Sequence, residues 1–147
     1  MALTSDKPRS YLADYPVLDM TLPLKAATTV YSGSLLMWSS GAVAPLSGAG
    51  IFAGIALEGA VGGAADGTVA VRVRVSGALL EKVTTDTPAI TDVGVAATVP
   101  EATDDDTIRI ERAATITGTA IGKFLLVDQP GTAGGKVMIG FKGAQVP

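Results

Sequence analysis

The chain has 147 residues, a length that suits one domain, and 48% of them are hydrophobic while only 17% are charged. The net charge of −3 and the lack of a basic block leave no source of counterion release, so nucleic-acid binding is not expected. The chain has no cysteine and no histidine, which excludes disulfides, thiolate metal sites and every catalytic triad that uses histidine.

Residues 1–20 differ from the rest because they show neither a helical nor a strand period. They include two of the three tyrosines, together with two prolines and five charged residues. Chain ends are disordered by default, but a purely solvated tail would seldom carry tyrosines, leucines and a valine. We therefore predict an extended arm that docks on a partner, and its predicted contact residues are Lys7, Arg9, Tyr11, Leu12 and Tyr15.

From residue 21 to residue 147, short apolar segments alternate with glycine turns, which is typical of an all-β domain. The clearest strand is 68–76, where valine occupies every second position and shares one face. Gly77 is expected to separate this strand from the next. Strands are predicted at 22–31, 35–38, 42–46, 51–58, 68–76, 78–83, 95–99, 107–112, 119–128 and 136–142.

The connections between these strands also carry signals. Residues 59–67 are expected to form a flexible loop that ends in an Asp-Gly turn. One short helical turn is predicted, with Thr87 as N-cap, Pro88 at the first helical position and Gly94 at its end. Strands that recur about every 8–12 residues favour a sandwich or a barrel, with at most this one helix.

No segment looks like an export signal or a membrane span. Asp6 and Pro8 interrupt the N-terminus before an apolar core can form. The most apolar stretch, 42–61, is broken by Pro45 and Glu58. We therefore expect a protein made in the cytoplasm that binds no membrane.

Few side chains suggest chemistry. The densest group of carboxylates, at 104–106, lacks the EF-hand pattern and is expected to be a solvated turn. The glycine-rich segments match neither GxGxxG nor GxxxxGK[ST], so they predict no phosphate loop. We predict no catalytic residue, no cofactor and no metal site.

Three side chains are candidates for contacts between subunits. Arg72 and Arg74 share one strand face, where they could bind an anion or pair with carboxylates of a neighbouring strand or subunit. Pairing with carboxylates is the favoured interpretation. Trp38 is the only tryptophan, and both core packing and a place in an interface remain open for it.

Six strand motifs, in their order and spacing over residues 20–142, make the chain resemble the phage capsid cement family, also called head decoration proteins. The motifs are VYSGSLL at 30–36, FAGIA at 52–56, GTVAV at 67–71 with Gly77, DVGVA at 92–96, IGKFL at 121–125 and VMI at 137–139.

This resemblance implies a small tulip- or barrel-like β-domain without catalytic activity. It implies homotrimers on the outer surface of the virion, made in the host cytoplasm, at three-fold and quasi-three-fold positions. The partner would be the major capsid protein, whose neighbouring subunits the trimers would clamp together after the shell expands. Residues 1–20 would be the arm that binds the capsid.

Two alternatives belong to other classes. A tail, spike or sugar-binding module would need exposed aromatic residues clustered at one end, and the chain has seven aromatic residues in all. An enzyme such as a glycosidase would need two acids that face one cleft. No sequence feature pairs the glutamates of the body, which are Glu58, Glu81, Glu101 and Glu111.

Overall fold

A curled antiparallel sheet dominates the computed structural model, which describes residues 3–47, 50–82, 87–99, 108–111, 119–127, 130–133 and 135–144. The prediction of an all-β domain is confirmed. Its strands are β1 (Ser10–Tyr11), β2 (Leu18–Pro23), β3 (Thr29–Val30), β4 (Leu35–Ser39), β5 (Ala42–Pro45), β6 (Ile51–Ala56), β7 (Ala60–Val61), β8 (Ala70–Lys82), β9 (Ala96–Val99), β10 (Arg109–Glu111), β11 (Thr119–Val127) and β12 (Lys136–Lys142).

The 13-residue strand β8 organises the sheet. At Arg74, β8 pairs with β2 on one edge and with β6 on the other. At Leu79, it pairs with β1 and with β12. The main path of the sheet runs β10-β9-β11-β12-β8-β6-β4-β5, and β3 and β7 form a separate two-stranded sheet. The first and last described strands therefore meet on β8.

Two apolar cores lie on the two faces of β4 and β6, because successive strand residues point to opposite faces. Leu35 belongs to the first core and Leu36 to the second. β9, β11 and β12 complete the first core with side chains that include Phe124, Val137, Ile139 and Phe141. β2, β5 and the first half of β8 complete the second core, with Leu22, Val43, Val71, Val73 and Val75.

The sheet curls into a half-barrel around the second core. Leu24, just after β2, forms an isolated parallel bridge with Val43 of β5, and Lys25 donates its backbone N–H to the Val43 carbonyl at 2.9 Å. β2, which pairs with β8 off the main path, thus approaches β5 at the end of that path. This geometry agrees with the expected barrel-like domain.

The predicted break at Gly77 is wrong, since β8 runs through it. Gly77 pairs with Phe141 of β12, and a Cβ added at Gly77 would lie 3.3 Å from the Phe141 ring and 3.4 Å from Val17. This glycine therefore permits close packing above the strand and does not turn the chain.

Two other boundaries differ from the predictions. The segment 22–31 is not one strand, because β2 ends at Pro23 and β3 begins only at Thr29, after a turn in which Ala27 has φ of 54°. The helical element is a single 3₁₀ turn over Ile90–Asp92, and Ala89, not Thr87, is its N-cap. The Asp92 carboxylate accepts the N–H of Ala89 at 2.8 Å, which fixes this later start.

The predicted turns at Gly67 and Gly94 are confirmed. Gly67 and Gly94 have φ of 78° and 86°, a region that L side chains rarely adopt. The loop at 59–67 also contains β7, which pairs with β3. Asp66 ties this loop to the body by accepting hydrogen bonds from Ala26 N–H and Lys25 Nζ.

Gly54 is the glycine on which the approach of β6 to β8 depends, and this can be tested. Its φ is 144°, and an added Cβ would lie 2.5 Å from the Arg74 carbonyl and 2.6 Å from Val73 Cγ1. We expect Gly54→Ala to lower the free energy of unfolding by about 3 kcal/mol, from strain and overlap together. Urea denaturation measures this.

Gly41→Ala is the matched control. Gly41 has φ of 86° but no neighbour within 4 Å of an added Cβ. We therefore expect this variant to lose only about 1 kcal/mol in the free energy of unfolding, from backbone strain alone. Equal losses for the two variants would mean that the approach of β6 to β8 is not restricted at Gly54.

Candidate interaction surface

The predicted arm lies along β8 instead of projecting from the body; we call its described part, residues 3–20, the N-terminal segment. β1 and β2 both pair with β8, and Leu12 N–H donates to the Ala78 carbonyl at 2.9 Å. Lys7 N–H donates to the Ser32 carbonyl at 2.8 Å. The boundary that the sequence predicts at residue 20 falls inside β2, so the structure shows no break there.

Arg9 fixes this segment from within. Its side chain has no solvent exposure, and its Nε and one terminal nitrogen donate to the Gly33 carbonyl at 3.0 and 2.9 Å. The other terminal nitrogen bonds Glu81 Oε2 at 3.0 Å, and Lys7 Nζ lies 3.7 Å from Glu81 Oε1. A buried guanidinium needs such partners because desolvation is costly. Arg9, predicted to contact another protein, is therefore inaccessible in this structure.

Tyr11 is held next to Arg9 by a stack of three side chains. The Arg74 guanidinium carbon lies 4.6 Å from the centre of the Tyr11 ring, a cation–π contact. Asp19 accepts two hydrogen bonds from Arg74, at 2.8 and 3.1 Å. Arg74 thus meets a carboxylate of the neighbouring strand of its own chain, one of the arrangements that the sequence left open.

The stack shifts the acidity of two groups. Burial raises the pKa of Tyr11 to about 12, against the lowering effect of nearby Arg9 and Arg74. The hydrogen bond from Arg74 lowers the pKa of Asp19 below its ordinary value. Near neutral pH the stack therefore holds a neutral phenol beside an ion pair.

Arg72 and Trp38, the other predicted interface residues, lie apart from this stack. Arg72 is exposed on the outer face of β8. Its charge acts, more weakly than Arg74, on Asp19 of the same chain, and its backbone N–H donates to Glu58 Oε1. Trp38 is half-buried and packs against the second core, so it contributes to folding. A role for either residue between subunits stays a prediction.

A surface of exposed and half-buried apolar side chains lies beside the segment. Leu126 of β11 pairs with Met138 of β12, and Met138 pairs with Leu80 of β8, so the three share one face. Because Val137 and Ile139 face the first core, this face points outward. We name Leu80, Leu125, Leu126 and Met138 the outer apolar face.

The outer apolar face continues into the N-terminal segment. A groove of about 340 Å³ is lined by Leu12, Ala13, Asp14, Tyr15 and Met138. Tyr15, Leu125 and Leu126 are 38%, 40% and 48% exposed. Contiguous exposed apolar surface marks protein–protein contact sites more often than isolated residues do.

The sequence predicts only part of this surface. Tyr15 and Leu12 are among the predicted contact residues, whereas Leu125, Leu126 and Met138 are not. The sequence signal for Leu125 and Leu126 was that two adjacent leucines interrupt the alternation of buried and exposed positions in β11. The structure places a register shift there, between Phe124 and Leu126, which leaves both leucines outside.

Chemistry-bearing groups are sparse in the part of the chain that the structure describes. It contains no group of three or more potential metal ligands and no helix long and apolar enough to cross a membrane. The acidic turn at 104–106 lies outside the described residues, as does Glu101. Glu81 and Glu58 serve as hydrogen-bond acceptors for Arg9 and for the Arg72 backbone.

No protein-family model, curated protein or solved structure matches this chain. The resemblance to capsid cement proteins therefore depends on the six motifs and their spacing.

Removing the Arg9 side chain tests whether it holds the N-terminal segment. Arg9→Ala leaves Glu81 and the Gly33 carbonyl without their main donor, so we expect a loss of about 3 kcal/mol in the free energy of unfolding. Lys123→Ala, at an exposed site, is the control and should change it by less than about 0.5 kcal/mol. Similar small losses in both would assign Arg9 no structural role.

The burial of Tyr11 predicts a late tyrosine titration. Because the folded state favours the neutral phenol, its stabilising effect is lost as pH rises from about 10 towards about 12. Ultraviolet absorbance of tyrosinate should show one transition near pH 12 in the folded protein, and Tyr11→Phe should remove it. A wild-type titration complete by pH 11 would contradict the buried position.

Proposed function

We propose that this chain is a non-enzymatic structural protein of a tailed bacteriophage that decorates the expanded capsid and stabilises it by binding between major capsid protein subunits. The observation that carries the proposal is the outer apolar face with the adjoining groove at Tyr15. The six sequence motifs support the class of protein, and the confirmed all-β fold is compatible with it.

The proposed contact differs in detail from a free arm. Arg9 and Tyr11 hold the segment on the sheet, so the capsid would contact Leu12, Tyr15 and the outer apolar face. Tyrosine suits such a site because a large ring buries apolar area while its hydroxyl stays hydrated. Lys7, with a side chain 33% exposed, would lie at the polar margin.

Stabilisation of the shell would follow from mass action. A protein that binds only the expanded lattice lowers the free energy of that lattice by its binding energy. In the proposed homotrimer, three such contacts act together, and the second and third bind at the high effective concentration set by the first. No chemical step is required.

Co-sedimentation with capsids tests the proposal. The purified chain should bind saturably to expanded heads that lack decoration and not to unexpanded shells, and it should raise the temperature at which the heads open. Equal binding to both shells, or to neither, would contradict the decoration role. Absence from both would favour the alternative of a tail or surface module.

Two double variants assign the surface. Tyr15→Ser with Leu126→Ser removes one anchor from the groove and one from the outer apolar face, and we expect head binding to weaken at least about tenfold. Val61→Ser with Ile90→Ser is the matched control, since these side chains are 64% and 72% exposed but lie on β7 and the 3₁₀ turn. Equal effects of the two would remove the groove from the proposal.

A further inference from the structure

The outer edge of β2 is open. Leu24 N–H donates to the Val69 carbonyl at 2.9 Å, and hydrogen-bonded positions alternate along an antiparallel pair. In the β2–β8 register, the backbone groups of Asp19 and Thr21 therefore point away from β8. Lys25 N–H points the same way and reaches β5, but no described strand covers Asp19 and Thr21.

The side chains beside this edge are unusually apolar for an edge strand. Met20 pairs with Val73, so it lies on the side of the second core, yet it is 41% exposed; Leu18 is 42% exposed. Leu22, two residues further on, is only 4% exposed. The part of β2 before Leu22 thus combines unpaired backbone N–H and C=O groups with exposed apolar side chains. An edge strand with both features tends to pair with another strand.

We propose that this edge pairs antiparallel with β2 of a second copy of the chain, about a two-fold axis at Met20; if the chain is also the proposed homotrimer, this pairing joins a chain of one trimer to a chain of another. Asp19 then faces Thr21 of the partner subunit, and these two positions exchange four backbone hydrogen bonds across the axis. Met20 packs against Met20 of the partner subunit, and Leu18 lies opposite Leu22 of the partner subunit. The contact is self-complementary, as a two-fold interface requires.

Charge complementarity selects the second copy and this register. Arg72 shares the outer face with Thr21, its cross-strand neighbour. Its charge acts on Asp19 of its own chain, less strongly than Arg74 does, but no side-chain hydrogen bond holds its guanidinium to a described residue. In the paired sheet, Arg72 reaches over the short Thr21 side chain towards Asp19 of the partner subunit. That carboxylate is already bonded to an arginine but keeps free lone pairs for a second one.

The neighbouring registers are worse. An axis at Asp19 would place two aspartates directly opposite each other, and like charges in that position repel. An axis at Thr21 would place Asp19 opposite Pro23 of the partner subunit, which has no N–H to donate. The axis at Met20 is the one that uses all four open backbone groups of Asp19 and Thr21 on each strand.

Single cysteines test the register, because the natural chain has none. In Met20→Cys, the two Cα atoms at the axis would be about 4.5 Å apart, within the range of a disulfide. In Thr21→Cys they would be about 8 Å apart or more, which is too far. We expect oxidation to crosslink most of the first variant and little of the second. Equal crosslinking of both, or of neither, would overturn the register.

Backbone donors test the contact itself. Thr21→Pro removes an N–H that points away from β8, so the fold is retained while pairing is blocked; Thr21→Val keeps the N–H and is the control. Sedimentation of the full chain from about 1 μM to about 1 mM should show a reversible doubling of mass for wild type and Thr21→Val only. No doubling, or doubling in Thr21→Pro, would overturn the pairing. Neither result depends on capsid binding, so this inference and the proposed function fail separately.

Discussion

The burial of the Arg9 guanidinium fixes the position of the strands and side chains on the edge of β8 that pairs with β1 and β2. Arg9 reaches Gly33 and Glu81 from the N-terminal segment, so it joins three distant parts of the chain. With this contact in place, Tyr11 lies beneath the Arg74 guanidinium, and Asp19 accepts two hydrogen bonds from Arg74. These contacts then fix where β2 begins. Without them, the groove beside Tyr15 would lose one of its walls.

The two cores explain how a lightly charged chain folds without disulfides. β4 and β6 are buried on both faces, so small side chains and glycine are required where strands approach closely, as at Gly54. Phe124 and Phe141 lie on the covered face of β11 and β12, whose other face is less buried. The uncovered face of β11 and β12 is the source of the exposed leucines and of Met138. One face of β11 and β12 therefore packs in the first core, and the opposite face forms part of the proposed contact surface.

Strands that show a clear local pattern of apolar residues could be predicted from the sequence, whereas contacts between distant residues could not. The segment 136–142 matches β12 because its alternation is complete, and valine spacing located the first half of β8. Gly77 misled because a glycine that admits a neighbouring ring looks the same in sequence as one that turns the chain. Arg9 and Tyr11 were predicted to contact a partner, whereas the structure shows them in contact with Glu81 and Arg74 of their own chain, which sequence spacing does not connect to them. The exposed pair at 125–126 needed the register shift in β11 to be seen.

The place of β8 in the sheet has a consequence for synthesis on the ribosome. Arg9 and Glu81 are 72 positions apart, so the first strands have no partner until more than half of the chain has left the exit tunnel. β12 must then add to the other edge of the same strand before the first core is closed. Such late, non-local pairing makes folding slow relative to helical domains of this size. The nascent chain therefore exposes apolar strands for most of its translation, and its 18 glycines lower the tendency of these strands to pair with those of neighbouring chains.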